Sequence, residues 1–210
     1  MLSKIRHWII RSVVSVIAWD FDGTFYQSKS LDHDLQESYR KFLERALRRK
    51  VTRREYLKLV QTHGSISIAA SRITGNSRIS VIDEVDRSVN KSRYIHKNSQ
   101  MVELVTSLSK YRHVIFSNAA KGDVLKGLKK VGFMKATSQK PTPFEAIIDR
   151  HSMRYLKPDR RAFQYLHKYT NEPKWKHLVI GDSFHHDILP AQTYGFWAVH
   201  ITGVNDLFYH

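Results

Sequence analysis

The stretch VIAWDFDGTF, residues 16–25, decides the fold of this chain. It belongs to an apolar run, Val13 to Trp19, that ends abruptly in two carboxylates, Asp20 and Asp22, followed at once by Gly23 and Thr24. A short run rich in β-branched residues and closed by glycine predicts a buried strand. Because an unpaired buried carboxylate is costly, we expect the acids at the carboxyl edge of a parallel sheet, where open α/β folds place their sites.

The composition is that of a globular protein. The chain has 210 residues, of which 41% are apolar, so it is long enough for one core and a smaller second unit. It contains no cysteine, which excludes disulfides and thiolate chemistry and leaves zinc only histidine and carboxylate ligands. A chain without cysteine fits the reducing cytoplasm, where we expect this protein.

The net charge is +16, and such a basic surface attracts polyanions such as nucleic acid, anionic lipid or phosphorylated substrates. The basic residues are spread along the chain, which favours a solvated basic surface. A dense run at residues 45–54 contains six arginines and lysines but no interleaved aromatic residues, which a single-strand binding platform would use. Nucleic acid is therefore a partner that the sequence allows but does not favour.

The N-terminal segment has one feature of a signal peptide, since Lys4 and Arg6 precede apolar residues. Arg11 interrupts the apolar run, however, and no small-residue cleavage site follows before Asp20. The run is also shorter than the about 20 residues that a membrane-spanning helix needs. We therefore predict no transmembrane segment. We expect the N-terminal segment to lead into the first strand, and weak contact with a membrane surface is the alternative.

Strands and helices alternate in the second half of the chain. Apolar runs predict four further strands, at His113–Asn118, Phe144–Ile148, His177–Gly181 and Trp197–Ile201. Residues 26–97 show only helical spacing, including a long pattern from Ile79 to Tyr94. This order predicts an α/β fold, namely a Rossmann-like, doubly wound parallel sheet of residues 1–25 and 98–210 with an inserted all-helical domain at 26–97.

Polar residues follow the predicted strands or stand at helix entries. These clusters are Asp20 with Asp22, Ser117 with Asn118, Lys157, and Asp182 with Asp187. In a parallel sheet they fall on one edge. Several carboxylates together require a cation, and oxygen ligands without a thiol suit Mg²⁺. With Lys157, Ser117 and the backbone amides around Gly23, such a site is suited to a phosphoryl group.

Four segments in this order resemble the motifs of the haloacid dehalogenase superfamily, taken in its phosphatase sense. Asp20-Phe21-Asp22-Gly23-Thr24 matches the first motif, Asp-x-Asp-x-Thr, and the apolar run that ends in Ser117 matches the second. Lys157-Pro158 matches the third, and Gly181-Asp182-Ser183 with Asp187 matches the fourth. The match extends over residues 16–201, and four independent motifs in order are improbable by chance.

The resemblance implies a role for each of these residues. Asp20 is expected to be the nucleophile that takes the phosphoryl group as an aspartyl-phosphate, and Asp22 the acid that protonates the leaving oxygen and then activates water. Mg²⁺ is expected on Asp20, the backbone carbonyl of Asp22 and Asp182, with Asp187 in support. Phosphate contacts are expected from Gly23, Thr24, Ser117, Asn118 and Lys157.

The same resemblance implies that the helical insert is a cap of the first type, as in phosphoglycolate and small sugar-phosphate phosphatases, which closes over the site and selects the substrate. The expected function is a Mg²⁺-dependent phosphomonoester hydrolase acting on a small phosphorylated metabolite. A phosphosugar mutase with the same paired acids is an alternative, as is a non-enzymatic protein whose basic cap binds RNA or another polyanion. A haloacid dehalogenase is disfavoured, because its site does not need the Asp22 acid and a metal.

One departure from the family pattern precedes Asp187, where His185-His186 stands and the subgroup often has an asparagine. Because the asparagine is missing, we expect the hydrogen bonds around Asp187 to differ from those of the family pattern. His186 is a candidate for the site, and an ordinary histidine at a helix start is an equally good interpretation.

Overall fold

A computed structural model describes residues 14–133 and 143–201 of the chain. The expected lead-in segment, together with Val13, lies outside the described residues. The chain divides into two compact units, of which one is Ser28–Tyr94 and the other is formed by the segments on either side of it.

The unit that flanks Ser28–Tyr94 contains a five-stranded parallel sheet with the strand order β3-β2-β1-β4-β5. The strands are Val16–Trp19 (β1), Arg112–Phe116 (β2), Phe144–Ile148 (β3), His177–Gly181 (β4) and Trp197–His200 (β5). The chain moves from β1 outward to β3 and then returns to the other side of β1 with β4. This arrangement confirms the predicted α/β fold with a parallel sheet, and it creates a switch point between β1 and β4.

The central strands are apolar because both faces of the sheet are covered. All four residues of β1 and all five of β4 are buried. A buried cluster on one face includes Val16, Phe116 and Phe163, and the rings of Phe116 and Phe163 pack edge to face. In the described residues of this unit the α-helices are Ser99–Ser107, Lys121–Val131, Arg150–Met153, Arg160–Thr170 and Leu189–Tyr194. A 3-10 helix, Lys174–Lys176, precedes β4, and a π-helix, Phe184–Ile188, follows it. None of the helices in the described part of the chain combines the length and the apolar character of a membrane-spanning helix.

The unit Ser28–Tyr94 is helical and has an apolar core of its own. Its α-helices are Lys29–Leu47, Arg53–His63, Ile66–Thr74 and Arg78–Arg87. Their buried faces bring together Phe42, Leu43 and Val81. Each helix begins at a side-chain cap, and the second has a full capping box in which Thr52 and Glu55 satisfy each other's backbone amides.

The single long helix predicted from Ile79 to Tyr94 is wrong. The helix ends at Arg87, and a short 3-10 turn, Lys91–Arg93, follows it. The Ser88 hydroxyl donates to the Val85 carbonyl at 2.6 Å, and the Ser88 amide bonds back to the same turn. Serine stops the helix here because its side chain competes for backbone groups that the next turn would need.

Candidate active site

Asp20 and Asp182 stand at the switch point of the sheet because they directly follow β1 and β4. The Asp20 amide donates to the Ile180 carbonyl at 2.8 Å, which continues the pairing of β1 with β4 by one residue. The backbone of Asp20 is therefore hydrogen-bonded to the sheet, although Asp20 lies one residue beyond β1. This edge is the one at which the sequence predicts a site.

Three carboxylates meet at this position. Asp20, Asp182 and Asp187 each offer one oxygen, and these oxygens all lie within 4.8 Å of one another. Asp20 and Asp187 are buried and Asp182 is partly exposed, so the cluster opens to one side. The structure thus brings together three of the four acids that the sequence assigns to metal binding.

Lys157 forms the cationic part of the cluster. Its Nζ atom lies 2.8 Å from Oδ1 of Asp20 and 2.5 Å from Oδ1 of Asp187. Its side chain is only 2% exposed and also lies over the Phe116 ring, 5.1 Å from the ring centroid. The expected convergence of Lys157 with the acids is present, although the two are far apart in the sequence.

The charges in this cluster are not balanced. Burial raises the pKa of Asp20 well above its ordinary value; Lys157 opposes the rise, and Asp187 and Asp182 add to it. Burial, followed by Asp187, also raises the pKa of Asp182. Burial disfavours the charged form of Lys157, but Asp187 and Asp20 outweigh that effect and raise its pKa. One ammonium faces three carboxylates, so the site favours additional positive charge.

A divalent cation fits this donor set. The three carboxylates supply hard oxygen ligands from two strand ends and one following turn, and one side of the cluster is open. Hard oxygen ligands suit Mg²⁺, and a bound cation would oppose the rise in the carboxyl pKa values of Asp20 and Asp182 that burial and the neighbouring carboxylates cause. The residues present are therefore compatible with the metal that the sequence predicts.

Two glycines make room for these acids. Gly23 has a φ of +82°, and a Cβ atom there would lie 2.1 Å from Oδ2 of Asp182. A Cβ atom on Gly181 would lie 2.6 Å from Cγ of Asp187. Gly23 is therefore required both for its left-handed backbone and for the close approach of Asp182.

Ser117 and Asn118 directly follow β2 and so lie at the same carboxyl edge of the sheet. The Ser117 amide donates to the Ile148 carbonyl of β3, and its buried hydroxyl accepts a bond from the Ala119 amide at 3.2 Å. The Asn118 side chain binds the backbone of Lys157 twice, since Oδ1 accepts from the Lys157 amide at 2.8 Å and Nδ2 donates to the Lys157 carbonyl at 3.1 Å. Asn118 thus holds the segment that carries Lys157, a role that the sequence did not reveal.

Arg150 is a further residue that the sequence analysis missed. It follows β3, is only 2% exposed and donates from Nη1 to the Asn118 carbonyl at 3.1 Å. Its neighbour Asp149 accepts bonds from the Ser152 amide and the Lys121 amide, so it joins the starts of two helices. A buried arginine next to a predicted phosphate residue has no periodicity or motif that would have marked it in the sequence.

Asp22 is partly exposed, and its side chain is bound by a tyrosine. The Tyr26 hydroxyl donates to Oδ1 of Asp22 at 2.5 Å. Between them, Thr24 is fully buried, and its Oγ1 atom has no hydrogen-bond partner among the described residues. The side chain of Thr24 therefore belongs to the interior, while the backbone around Gly23 lies beside Asp182.

The turn after β4 shows how Asp187 is held without the asparagine of the family pattern. The Ser183 amide donates to Oδ2 of Asp187 at 3.1 Å, and the Asp187 amide donates to the Ser183 carbonyl. His186 lies within hydrogen-bond distance of the Ser183 hydroxyl through Nδ1, at 3.0 Å. His186 thus contacts the turn, and Asp187 takes its side-chain bonds from Ser183 and Lys157.

The basic run at residues 45–54 lies in the helical unit and is partly neutralised. Arg45 pairs with Glu84 at 2.8 Å and Arg49 pairs with Glu55 at 2.9 Å, in both cases with exposed side chains. Arg48, Lys50, Arg53 and Arg54 are exposed. The pairing is that of a solvated helix surface, which is the interpretation that the sequence favours.

Solved structures with the same fold come from several organisms. A predicted phosphoglycolate phosphatase from Haemophilus somnus is 17% identical, with a TM-score of 0.60 over 91% of this chain and 87% of that one. The magnesium-bound YfnB protein from Bacillus subtilis is 15% identical, with a TM-score of 0.52 over 90% and 89%. The L-2-haloacid dehalogenase from Xanthobacter autotrophicus is 14% identical, with a TM-score of 0.55 over 90% and 77%. At these identities the likeness shows the fold alone.

Sequence comparison identifies the family. No curated protein matches the chain closely enough to be called a relative. A family model of haloacid dehalogenase-like hydrolases, however, matches residues 17–201, which include every residue of the site described above. The chain therefore belongs to the haloacid dehalogenase-like hydrolase family.

Proposed function

We propose that this protein is a Mg²⁺-dependent phosphomonoester hydrolase that acts on a small phosphorylated metabolite. The observation that carries the proposal is the position of Asp20. It follows the central strand, lies in a cluster with two further acids and is in contact with the buried ammonium of Lys157. The predicted phosphoglycolate phosphatase among the structural neighbours is consistent with such a substrate.

In the proposed reaction an oxygen of Asp20 attacks phosphorus, and the bond from phosphorus to the leaving oxygen breaks as Asp22 gives that oxygen a proton. Water then attacks the aspartyl-phosphate and gives a proton to Asp22, and the bond from phosphorus to Asp20 breaks. Inorganic phosphate and the alcohol are the products, and both acids return to their first states. Lys157 stays charged throughout and offsets negative charge on Asp20 and on the phosphoryl group.

The metal would be held by Asp20, the Asp22 carbonyl and Asp182, with Asp187 in support. Mg²⁺, when bound, supplies positive charge that offsets the charge of the phosphoryl group. The backbone amides at Gly23 and Thr24, together with Ser117, Asn118 and Lys157, are the proposed phosphate contacts. Burial raises the pKa of the Asp20 carboxyl, and a bound cation would oppose that rise and favour the ionised, nucleophilic form.

We propose that the helical unit is the cap that selects the substrate. It is inserted between the first and second strands and has a separate apolar core, both of which support an independent unit. Its basic character suits an anionic metabolite. Two arginines of the basic run form ion pairs with glutamates, which favours a solvent-exposed surface and not an RNA-binding one. A cysteine-free sequence supports the cytoplasm as the compartment.

The proposal is tested by hydrolysis of p-nitrophenyl phosphate and a panel of phosphorylated metabolites, with Mg²⁺ and with EDTA. We expect Mg²⁺-dependent release of phosphate that the Asp20→Asn variant lacks. Transfer of phosphate between two positions of one sugar, without free phosphate, would identify the mutase. Absence of turnover across the panel, together with salt-sensitive RNA binding, would identify the binding protein.

A further inference from the structure

The strongest observation outside the assigned residues is the hydrogen bond from Tyr26 to Asp22. The Tyr26 hydroxyl lies 2.5 Å from Oδ1 of Asp22, at the short end of the range for an O–H···O hydrogen bond. The two residues are also joined through their backbones by an isolated β-bridge. The carboxylate and the hydroxyl that binds it are thus both fixed to one turn after the central strand.

The Tyr26 ring is itself held in place. It is only 7% exposed and packs edge to face on Phe21, with ring centroids 5.6 Å apart. Phe21 is in turn confined, because it fills the space beside Gly127, where a Cβ atom would come within 2.4 Å of its ring. A side chain anchored in this way keeps its hydroxyl at a defined point, which an exposed tyrosine would not do.

A general acid must have its carboxyl group held in one position. Proton transfer requires the acid to lie within hydrogen-bond reach of the leaving oxygen, and a partly exposed aspartate on a turn has several side-chain rotamers of similar energy. A second group that binds one carboxylate oxygen restricts those rotamers and directs the other oxygen. The bond from Tyr26 engages Oδ1 and has this geometry.

We propose that Tyr26 is a positioning residue for Asp22, an inference that rests on the proposed phosphatase function. The tyrosine hydroxyl binds Oδ1, and Oδ2 then carries the proton to the leaving oxygen and later takes a proton from water. In this proposal Tyr26 acts on the reaction only through Asp22. Its effect is therefore confined to the steps in which Asp22 transfers a proton.

The test compares two esters of similar shape, p-nitrophenyl phosphate and phenyl phosphate. The nitrophenolate leaves with little help, whereas phenolate depends on protonation, so a misplaced acid harms the phenyl ester more. In Tyr26→Phe we expect kcat/KM for phenyl phosphate to fall about tenfold further than for p-nitrophenyl phosphate, a part of the about 100-fold or more that a whole general acid contributes. Tyr26→His, which keeps a ring donor, should restore part of the difference.

Tyr194→Phe is the matched control. Tyr194 is in the same unit, is also 7% exposed and forms a side-chain hydrogen bond to His167 at 3.2 Å. Its loss should affect both esters alike. In an Asp22→Asn background, Tyr26→Phe should not change the ratio of the two kcat/KM values further, because the group that it positions is gone.

The outcomes separate the inference from the proposed function. If the wild-type protein releases phosphate from neither ester and from none of the metabolites in the panel, the proposed function fails and the inference fails with it. If the wild-type protein hydrolyses both and Tyr26→Phe lowers both rates by the same factor, Tyr26 has a structural role only and the inference alone is overturned. A further change of the ratio in the Asp22→Asn background would also overturn it.

Discussion

The Nζ atom of Lys157 lies 2.8 Å from Oδ1 of Asp20, although the two residues are 137 positions apart in the sequence. Both side chains are buried, and the same ammonium also contacts Asp187. A buried ion pair of this kind stabilises only while both partners are present, because each charge was removed from water when the chain folded. The contact therefore connects the proposed chemistry to the stability of the fold.

Removal of Lys157 should destabilise the protein. In Lys157→Met we expect the free energy of unfolding, measured by urea denaturation in EDTA, to fall by about 3–5 kcal/mol, because buried acids lose their cation. Lys126→Met is the control, since Lys126 is exposed and lies 4.0 Å from Asp123, a pair worth about 1 kcal/mol or less. Equal effects of the two substitutions would contradict the assigned contact.

Magnesium should stabilise the fold through the same cluster. A ligand that binds only the folded state at one hundred times its Kd adds about 2.7 kcal/mol, so the midpoint of thermal unfolding should rise with MgCl₂ and return in EDTA. Asp182→Asn should remove most of this rise, because it takes one carboxylate from the three. Identical unfolding of the wild-type protein in MgCl₂ and in EDTA would exclude a metal site there.

Gly23→Ala should damage the site more than a similar change elsewhere. A Cβ atom at Gly23 would lie 2.1 Å from Oδ2 of Asp182, and Gly23 has a φ of +82°. Gly64→Ala is matched in backbone, with a φ of +76°, but its Cβ atom would have nothing within 4 Å. In both variants backbone strain should lower the free energy of unfolding by about 1–2 kcal/mol. Only Gly23→Ala should also abolish the rise in the thermal unfolding midpoint that MgCl₂ causes.

Two buried histidines should make the fold sensitive to acid. The Trp19 indole donates to Nδ1 of His113 at 3.0 Å, so Nε2 carries the proton that binds the Leu108 carbonyl at 2.9 Å. Burial lowers the pKa of His113, against a smaller opposing effect of that carbonyl, and burial also lowers the pKa of His177. The folded state thus favours neutral imidazoles. Their contribution is complete above the unfolded pKa of 6.5 and is lost as the pH falls below it.

Urea denaturation between pH 7 and pH 5 measures this effect. Each such histidine contributes a slope of up to about 1.4 kcal/mol per pH unit, so His113→Gln should make the dependence shallower by up to that amount. His96→Gln, at an exposed histidine, is the control substitution, and it should change the slope less than His113→Gln does. A slope that is the same in His113→Gln and in the wild-type protein would contradict the assignment of a neutral His113 in the fold.

The sequence predicts the sheet and its acids because both depend on local patterns. Asp20 and Asp182 each follow a buried apolar run, and parallel strands bring such ends to one edge. Lys157 was recognisable through the family resemblance. Asn118 holds Lys157 through a side-chain contact between distant segments, for which neither periodicity nor a motif gives a signal. The helix end at Arg87 escaped prediction because one serine outweighed a continuing apolar pattern.

Tyr26 illustrates the same limit at shorter range. It follows Asp22 by four residues, yet its sequence neighbours show only an aromatic residue at the start of a polar stretch. Its hydrogen bond to Asp22 spans the turn at Gly23, which has a φ of +82°. The spacing of apolar and polar residues does not show how such a turn directs the tyrosine hydroxyl.

The measurement that tests the central claim most directly is the identity of the phosphorylated residue during turnover. Acid quenching of the protein with p-nitrophenyl phosphate and Mg²⁺, followed by mass spectrometry of its peptides, should find one phosphoryl group on Asp20. The label should be absent in Asp20→Asn and should accumulate in Asp22→Asn, because hydrolysis of the intermediate then lacks its base. A phosphoryl group on another residue, or undiminished turnover by Asp20→Asn, would contradict the account.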